Sequence, residues 1–343
     1  MTTATHPRLA PATAPIESTG RERHDVSLLV AGNGLVADAR FRQIGEHLNA
    51  GDVLVVNTSA TEPAALWGMH ESTNVGVHVA GPGREDGRWV IELRNRDHSG
   101  PVLDARPCDR IDVEHGTLTL LEPAGAATAG VRLWNAAWTG RRHLAEVVRT
   151  TGHPIRYGYV PEAWPLDSYR TVFEVRRSAF SSAEMPSAAR PFTHAVTADL
   201  RRRGIDIATV VLHTGVSSPD QHEAPMPERF EVGRTAAEMI NRARARGGRI
   251  VAVGTTSVRA VESATADGQV SPMRGWTDLV LSGLRPATTV DALITGWHPP
   301  EASHLDLLEA VAGHAAVSSA YECARELGYR SHEFGDSCLL FAD

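Results

Sequence analysis

The stretch GGRIVAVGTTSVRAVES, residues 247–263, decides how the rest of the chain is read. A glycine pair precedes a short apolar run over residues 249–253, with the length and β-branched content of a buried strand. Gly254 opens a turn, Thr255, Thr256 and Ser257 follow as consecutive hydroxyl residues, and an amphipathic helical pattern begins at Val258. Strand, tight turn and helix in succession are the unit of a parallel α/β sheet. The same unit binds nucleotide phosphates when a lysine closes the loop. This chain has no lysine; all 34 of its Lys/Arg residues are arginines. A Walker-type loop, a Schiff-base lysine and a Ser–Lys dyad are thereby excluded.

The alternation recurs outward from this unit. THAVTADLRRRG (193–204) reads as a helix stopped by Gly204, and IDIATVVLHTG (205–215) as a strand. RTAAEMINRARARGG (234–248) reads as a helix with a capping box from Thr235 to Glu238. VDALITG (290–296) is a further strand, and the helical run 303–328 is expected to bend at Gly313. Near the N-terminus, FRQIGEHLNAGDVLVVNTS gives a short helix with Phe41, Ile44 and Leu48 inward, a stop at Gly51 and a strand over 53–56. Between residues 64 and 137 only short β-type runs appear, separated by Gly, Pro, Asp and Asn. The predicted fold is α/β: a discontinuous α/β domain (1–63 and 146–343), Rossmann-like or barrel-like in its mostly parallel sheet, interrupted by a small all-β barrel (64–145).

Composition fits a soluble globular chain of 343 residues, 42% apolar and 22% charged. No apolar run nears the ~18 residues of a membrane span, and the Ala/Pro/Thr-rich start lacks a signal-peptide pattern. It is expected to be frayed to about Arg23. Cys108, Cys323 and Cys338 are too few and too widely spaced for a disulfide framework or a zinc set. A cytoplasmic protein is expected, monomeric or homo-oligomeric, with no membrane partner. A net charge of −7 argues against broad affinity for nucleic acid.

In open α/β sheets ligands collect beyond the carboxyl ends of the strands. Three predicted strands end there in polar groups: at His213-Thr214-Gly215, at Gly254-Thr255-Thr256-Ser257, and at Thr295-Gly296-Trp297-His298. Thr256 or Ser257 serves as helix cap, as part of an anion site, or as both. Arg259, placed in a first turn where its charge opposes the helix dipole, needs a partner; Glu262 is one candidate. His213 and His298 are candidate general bases, and Trp297 is an aromatic wall or a core residue. No metal-ligand set is visible, since QHEAP and SHEFGD are isolated His–Glu pairs.

GGRIVAVGTTSVRAVES resembles the most characteristic segment of the S-adenosylmethionine:tRNA ribosyltransferase-isomerase family of queuosine biosynthesis. LNAGDVLVVNTS, SYRTVFE, PSAARPFT, VVLHTG, ERFEV, VDALITGWHPP and YRSHEFGDSCLLF fall in the same order as the family's segments. The resemblance implies an α/β domain interrupted by a β-barrel, S-adenosylmethionine as co-substrate, and no metal. It implies transfer and isomerisation of the ribosyl group onto the aminomethyl-deazaguanine of a tRNA, with adenine and methionine released. The sulfonium acidifies the adjacent 5′ C–H, so one base can start the eliminations. On this reading Gly254, Thr255, Thr256, Ser257, Arg259 and Trp297 meet S-adenosylmethionine; Asn57, Tyr169, Glu228 and Asp336, in the matched segments, meet the substrate; and His298 or His213 is the base.

The chain also departs from the family pattern. Asn57-Thr58-Ser59-Ala60 and Pro63-Ala64-Ala65 lack an acid and two arginines, and 186–193 lacks a histidine. Val216-Ser217-Ser218-Pro219 replaces a glycine-rich turn, and Gly296-Trp297-His298-Pro299-Pro300 is altered. These changes are expected to face substrate. They leave open an alternative in which S-adenosylmethionine is cleaved for a small-molecule acceptor, or by elimination alone, without tRNA.

Overall fold

The structure, a computed structural model, describes residues 6–32, 34–125, 131–217 and 226–342. Its centre is the strand Val53–Asn57, every residue of which is buried. That strand pairs in parallel with Asp206–Leu212 on one side and Ile250–Val253 on the other, and Ala292–Gly296 continues the parallel run. Beyond these four, Glu228–Val232 and Met273–Thr277 extend one edge in antiparallel fashion. On the other side Ser337–Phe341, Ser27–Gly32 and Leu35–Arg40 complete nine strands. The sheet is thus parallel at its centre and mixed toward its edges, rather than mostly parallel. The chain leaves Ala292–Gly296 through two helices instead of one and re-enters antiparallel as Ser337–Phe341.

Side-chain alternation distributes the core over both faces. Val53 and Val55 join Ala252 and Leu293 beneath the helices Arg234–Ala245, Thr255–Ser263, His304–Ala312 and His314–Glu326. Leu54 and Val56 join Val251 and Ile294 on the opposite face, under Phe41, Ile44, Val196 and Leu200. The break expected at Gly313 is present, with φ at +78°. Two predicted starts shift. Arg234–Ala245 is capped by extended Gly233, so Thr235 lies inside the helix and no capping box forms. The helix expected from Val258 begins at Thr255, because Gly254 turns the chain one residue after the strand.

The β-rich segment closes into a six-stranded antiparallel barrel, in the order Leu133–Gly140, Arg88–Asn95, Thr73–Pro82, Ala65–His70, Arg110–Val113, Gly116–Pro123. Its interior holds Val75, Val77, Ile91, Leu93, Leu118 and Leu120, and Leu144, Val147 and Val148 of the following helix Leu144–Thr151 join that core. Glu62 and Arg149 tie the two crossings between barrel and sheet by paired bonds of 2.7 and 3.0 Å.

The N-terminal segment is not frayed over the described residues. Leu9 is buried, and Ala10–Pro11 pairs with Arg330–Ser331. Arg190 holds Glu17 through two bonds of 2.8 Å, and Arg23 donates to the carbonyls of Asp167 and Arg170. Every one of these ties joins residues far apart in sequence, so local composition gives no sign of them.

A charged cluster sits where the barrel's outer wall meets the cleft. Glu92, almost fully buried, accepts from Arg132 at 2.9 Å and Arg94 at 3.2 Å, and His78 Nδ1 lies 3.3 Å away. Burial alone would raise the Glu92 carboxyl; His78, Arg132 and Arg94 outweigh it and hold the group down to about 2. A carboxyl depressed in the folded state contributes stability above its unfolded value and loses it as pH falls through the folded one. Urea unfolding followed by tryptophan fluorescence should therefore show the wild type losing more stability than Glu92→Gln between pH 4.5 and about 2. At pH 7 the variant should be weaker by about 3–5 kcal/mol, because two guanidinium groups lose their buried counter-charge.

Candidate active site

Because the four central strands run parallel, their carboxyl ends lie along one edge of the sheet. A cleft of about 1030 Å³ opens there, bounded by the barrel wall at Arg94 and Arg132 and by the sheet rim at Gly254, Thr255, Thr256 and His298. That lies at the upper limit of the roughly 300–1,000 Å³ of ordinary small-ligand sites. A second cavity of about 300 Å³, lined in part by Arg84, Arg88, His213 and Trp276, lies between the barrel and the edge strands. Gly215, Val216, Met226 and Glu228 border both.

The turn of the decisive stretch faces the large cleft. Gly254 has φ +85° and ψ 155°, a region open only to glycine, and its N–H donates to Ile294 O at 2.8 Å. This starts the nine-residue helix Thr255–Ser263 with its free N–H groups at the cleft. Thr256 Oγ1 is buried and has no hydrogen-bond partner among the described residues. Ser257 instead donates to Val253 O at 2.8 Å and does not line the cleft. Arg259 is one turn in, not in the first turn, and its partner is Glu228 rather than Glu262. Its remaining donors go to Leu279 O at 3.1 Å and Thr277 O at 3.3 Å. Glu262 accepts from the backbone N–H groups of Thr288, Thr289 and Val290. Burial lifts the Glu228 carboxyl above its ordinary value, with Arg259 opposing.

The two histidines separate. His298 lines the large cleft, 3.2 Å by Nε2 from Thr295 Oγ1 and stacked on His304 at 4.6 Å with the rings 4° apart. Burial, then His304, pushes its pKa well below the ordinary value; burial and Arg259 bring His304 to about 4. Both rings are neutral at pH 7. His213 lines the small cavity only, with Nδ1 2.7 Å from Ser59 Oγ, and burial together with Arg229 brings it to about 4.

Of the other predicted contacts, Tyr169 lines the cleft, and its hydroxyl has no partner among the described residues. Burial, then Glu333, raises it to about 12. Trp297 is a core residue, 1% exposed and edge-on to Tyr321 and Tyr329, so it adds little to the cleft surface. Asn57 and Asp336 lie away from the cleft. Asn57 bonds both ways with Leu212 and accepts from Ser59 N–H; Asp336 accepts from the N–H groups of Ser27 and Arg330. Among the departures from the family pattern, 186–188, Ser217 and 296–299 line the cleft, whereas Thr58, Ser59, Ala60, Ala64 and Ala65 do not. Thr58, Ser59 and Ala60 are packed beneath the rim; Ser59 Oγ bonds to His213 and Ser182. Ser218, Pro219 and the QHEAP run lie outside the described residues.

One wall carries groups not singled out from the sequence. Tyr159 donates to Glu333 at 2.7 Å and stacks on His332 at 3.9 Å; Tyr157 donates to Glu184 and lies under Arg94. Burial raises the Glu333 carboxyl. The tyrosines two apart in YGYV were the available signal, since such spacing puts both on one side of an extended segment. His332-Glu333, an isolated pair in sequence, becomes part of the site.

Gly254→Ala should destabilise the protein by about 1–3 kcal/mol in denaturant titration through backbone strain. Space is not the cause, because a Cβ would meet Ala188 Cβ only at 3.4 Å.

Comparison with known proteins matches this arrangement. The family model described as queuosine biosynthesis protein aligns with residues 6–340. An S-adenosylmethionine:tRNA ribosyltransferase-isomerase of Acidiphilium cryptum is 34% identical over 337 residues, 93% of each chain. Its counterpart in Moorella thermoacetica is 32% identical over 96% of this chain and 95% of its own. A crystal structure of S-adenosylmethionine tRNA ribosyltransferase from Thermotoga maritima matches at 25% identity with a TM-score of 0.54, covering 98% and 99% of the two chains. The chain belongs to the queuosine biosynthesis protein family.

Proposed function

We propose that this protein is an S-adenosylmethionine:tRNA ribosyltransferase-isomerase acting in the cytoplasm. It transfers and isomerises the ribosyl group of S-adenosylmethionine onto the aminomethyl-deazaguanine of a tRNA, yielding epoxyqueuosine and releasing adenine and methionine. The observation that carries this reading is the cleft. It has room for more than one small ligand and lies where the Gly254–Thr256 turn, His298 and the barrel wall meet. The inserted domain is taken as residues 64–145, its second boundary falling inside the helix Leu144–Thr151 that packs on the barrel core, and the barrel supplies the far wall.

The Gly254-Thr255-Thr256 turn is the seat for the carboxylate or ribose hydroxyls of S-adenosylmethionine. Its helix N–H groups attract negative charge, and Thr256 Oγ1 lacks a protein partner among the described residues. Arg259, already neutralised by Glu228, supports the turn instead of meeting the ligand. Tyr169, with its unpartnered hydroxyl, and the Tyr159–Glu333 pair serve the acceptor base.

His298 is the preferred base over His213, because it alone of the two lines the large cleft. Held neutral by burial, its ring is ready to take the 5′ proton made acidic by the sulfonium. His298→Ala should lower the rate of adenine release by roughly 10²-fold or more, the size of a lost general base, with His213→Ala costing much less. A base must be deprotonated to act, so activity falls only as pH drops through its folded pKa. The acid limb of kcat/KM should therefore lie well below 6.5. Equal losses in the two variants, or an acid limb at 6.5, would move the base elsewhere.

The activity itself is tested by incubating the enzyme with S-adenosylmethionine, with and without tRNA bearing aminomethyl-deazaguanine. Adenine and methionine should appear only with the RNA; equal release without it would refute the assignment of tRNA as acceptor.

A further inference from the structure

Three side chains that line neither cavity come from distant parts of the chain and meet. His6 lies in the N-terminal segment, Glu309 in the last turn of the helix His304–Ala312, and His314 opens the helix His314–Glu326. Glu309 Oε1 is 2.8 Å from His6 Nε2 and 2.9 Å from His314 Nδ1, and one ligand atom from each residue falls within 4.8 Å of the other two. His6 is buried, while His314 remains accessible with 55% of its side chain exposed.

We propose that His6, Glu309 and His314 form a two-histidine, one-carboxylate site for a divalent transition-metal ion, zinc(II) foremost, that pins the N-terminal segment to the helix pair. Two imidazole nitrogens select zinc over the hard, oxygen-seeking magnesium and calcium. Tetrahedral zinc with bonds of about 2.0–2.1 Å needs donors about 3.3 Å apart. The two N–O separations of 2.8 and 2.9 Å then widen by about half an ångström, a movement the exposed His314 ring allows. Water completes the fourth position.

The ion takes no part in ribosyl transfer; its role is positional. The His6 ring lies 5.1 Å from that of Tyr321, whose hydroxyl accepts from His298 N–H at 3.0 Å and donates to His298 O at 3.1 Å. Arg8, two residues beyond His6, pairs with Glu301, and both line the cleft. Fixing His6 therefore steadies one wall of the cleft and the backbone of His298.

The test uses full-length protein stripped with EDTA and titrated calorimetrically with Zn²⁺, with Co²⁺ as a spectroscopic probe of tetrahedral geometry. The wild type should bind one equivalent, show the intense visible bands of tetrahedral cobalt, and gain thermal stability with zinc. His314→Ala, at an exposed position that leaves the fold intact, should weaken binding at least tenfold and abolish the zinc-dependent rise in Tm. Glu309→Gln, nearly isosteric, should do likewise, whereas His194→Gln, at another exposed histidine, should bind as wild type. Absence of binding by the wild type overturns the proposal. So does undiminished binding by His314→Ala and Glu309→Gln, which would place the ion at other histidines.

Discussion

Parallel hydrogen bonding of Val53–Asn57 to both its neighbours is the constraint on which the rest depends. Asp52 sets it. Its carboxylate accepts from Arg249 N–H at 2.9 Å, from the Arg249 guanidinium at 2.6 Å and from Asn49 N–H at 2.8 Å, while its carbonyl accepts from Asp206 N–H at 3.1 Å. The entries of three strands are thereby held level. A slip of one residue would exchange Val53 and Val55 with Leu54 and Val56 between the two faces, exposing both cores at once. With the register held, the strands finish level at their carboxyl ends, and the loops that follow have one edge to share.

Burial then sets the chemistry of that edge. His298, His304 and His332 are held neutral by desolvation, which also raises the Glu333 and Glu228 carboxyls, the latter against the opposing pull of Arg259. Arginine supplies the charge, but most of it near the cleft is already answered: Arg259 by Glu228, and Arg94 by Glu92. A cleft so arranged holds neutral donors and acceptors over much of its surface. That suits a cationic sulfonium and an uncharged heterocycle better than a second strong anion.

Much of this frame was legible in the chain. Gly254 between an apolar run and three hydroxyl residues announced the strand, turn and helix; Gly313 announced the break between the last two helices; short β runs separated by Gly, Pro, Asp and Asn announced the barrel. Side-group roles were less legible, because each depends on a partner remote in sequence. Arg259 was recognised as needing a counter-charge, yet Glu228, 31 residues away on a neighbouring strand, provides it. The N-terminal segment looked unanchored because its anchors, Arg190 in mid-chain and Arg330–Ser331 near the far end, are remote in sequence. His332-Glu333 looked isolated because Tyr159, which bonds to one and stacks on the other, lies 174 residues from the glutamate.

The sequence by itself determined the elements and their order, since hydrophobic period, glycine placement and the lack of lysine act locally and need no knowledge of neighbours. Tertiary structure alone decided which of two equivalent-looking histidines enters the large cleft and which faces a separate cavity. Both follow strands of the same parallel run, so no local pattern separates them. The difference arises from packing: His213 faces the small cavity between the barrel and the edge strands, while His298 faces the large cleft at the sheet rim.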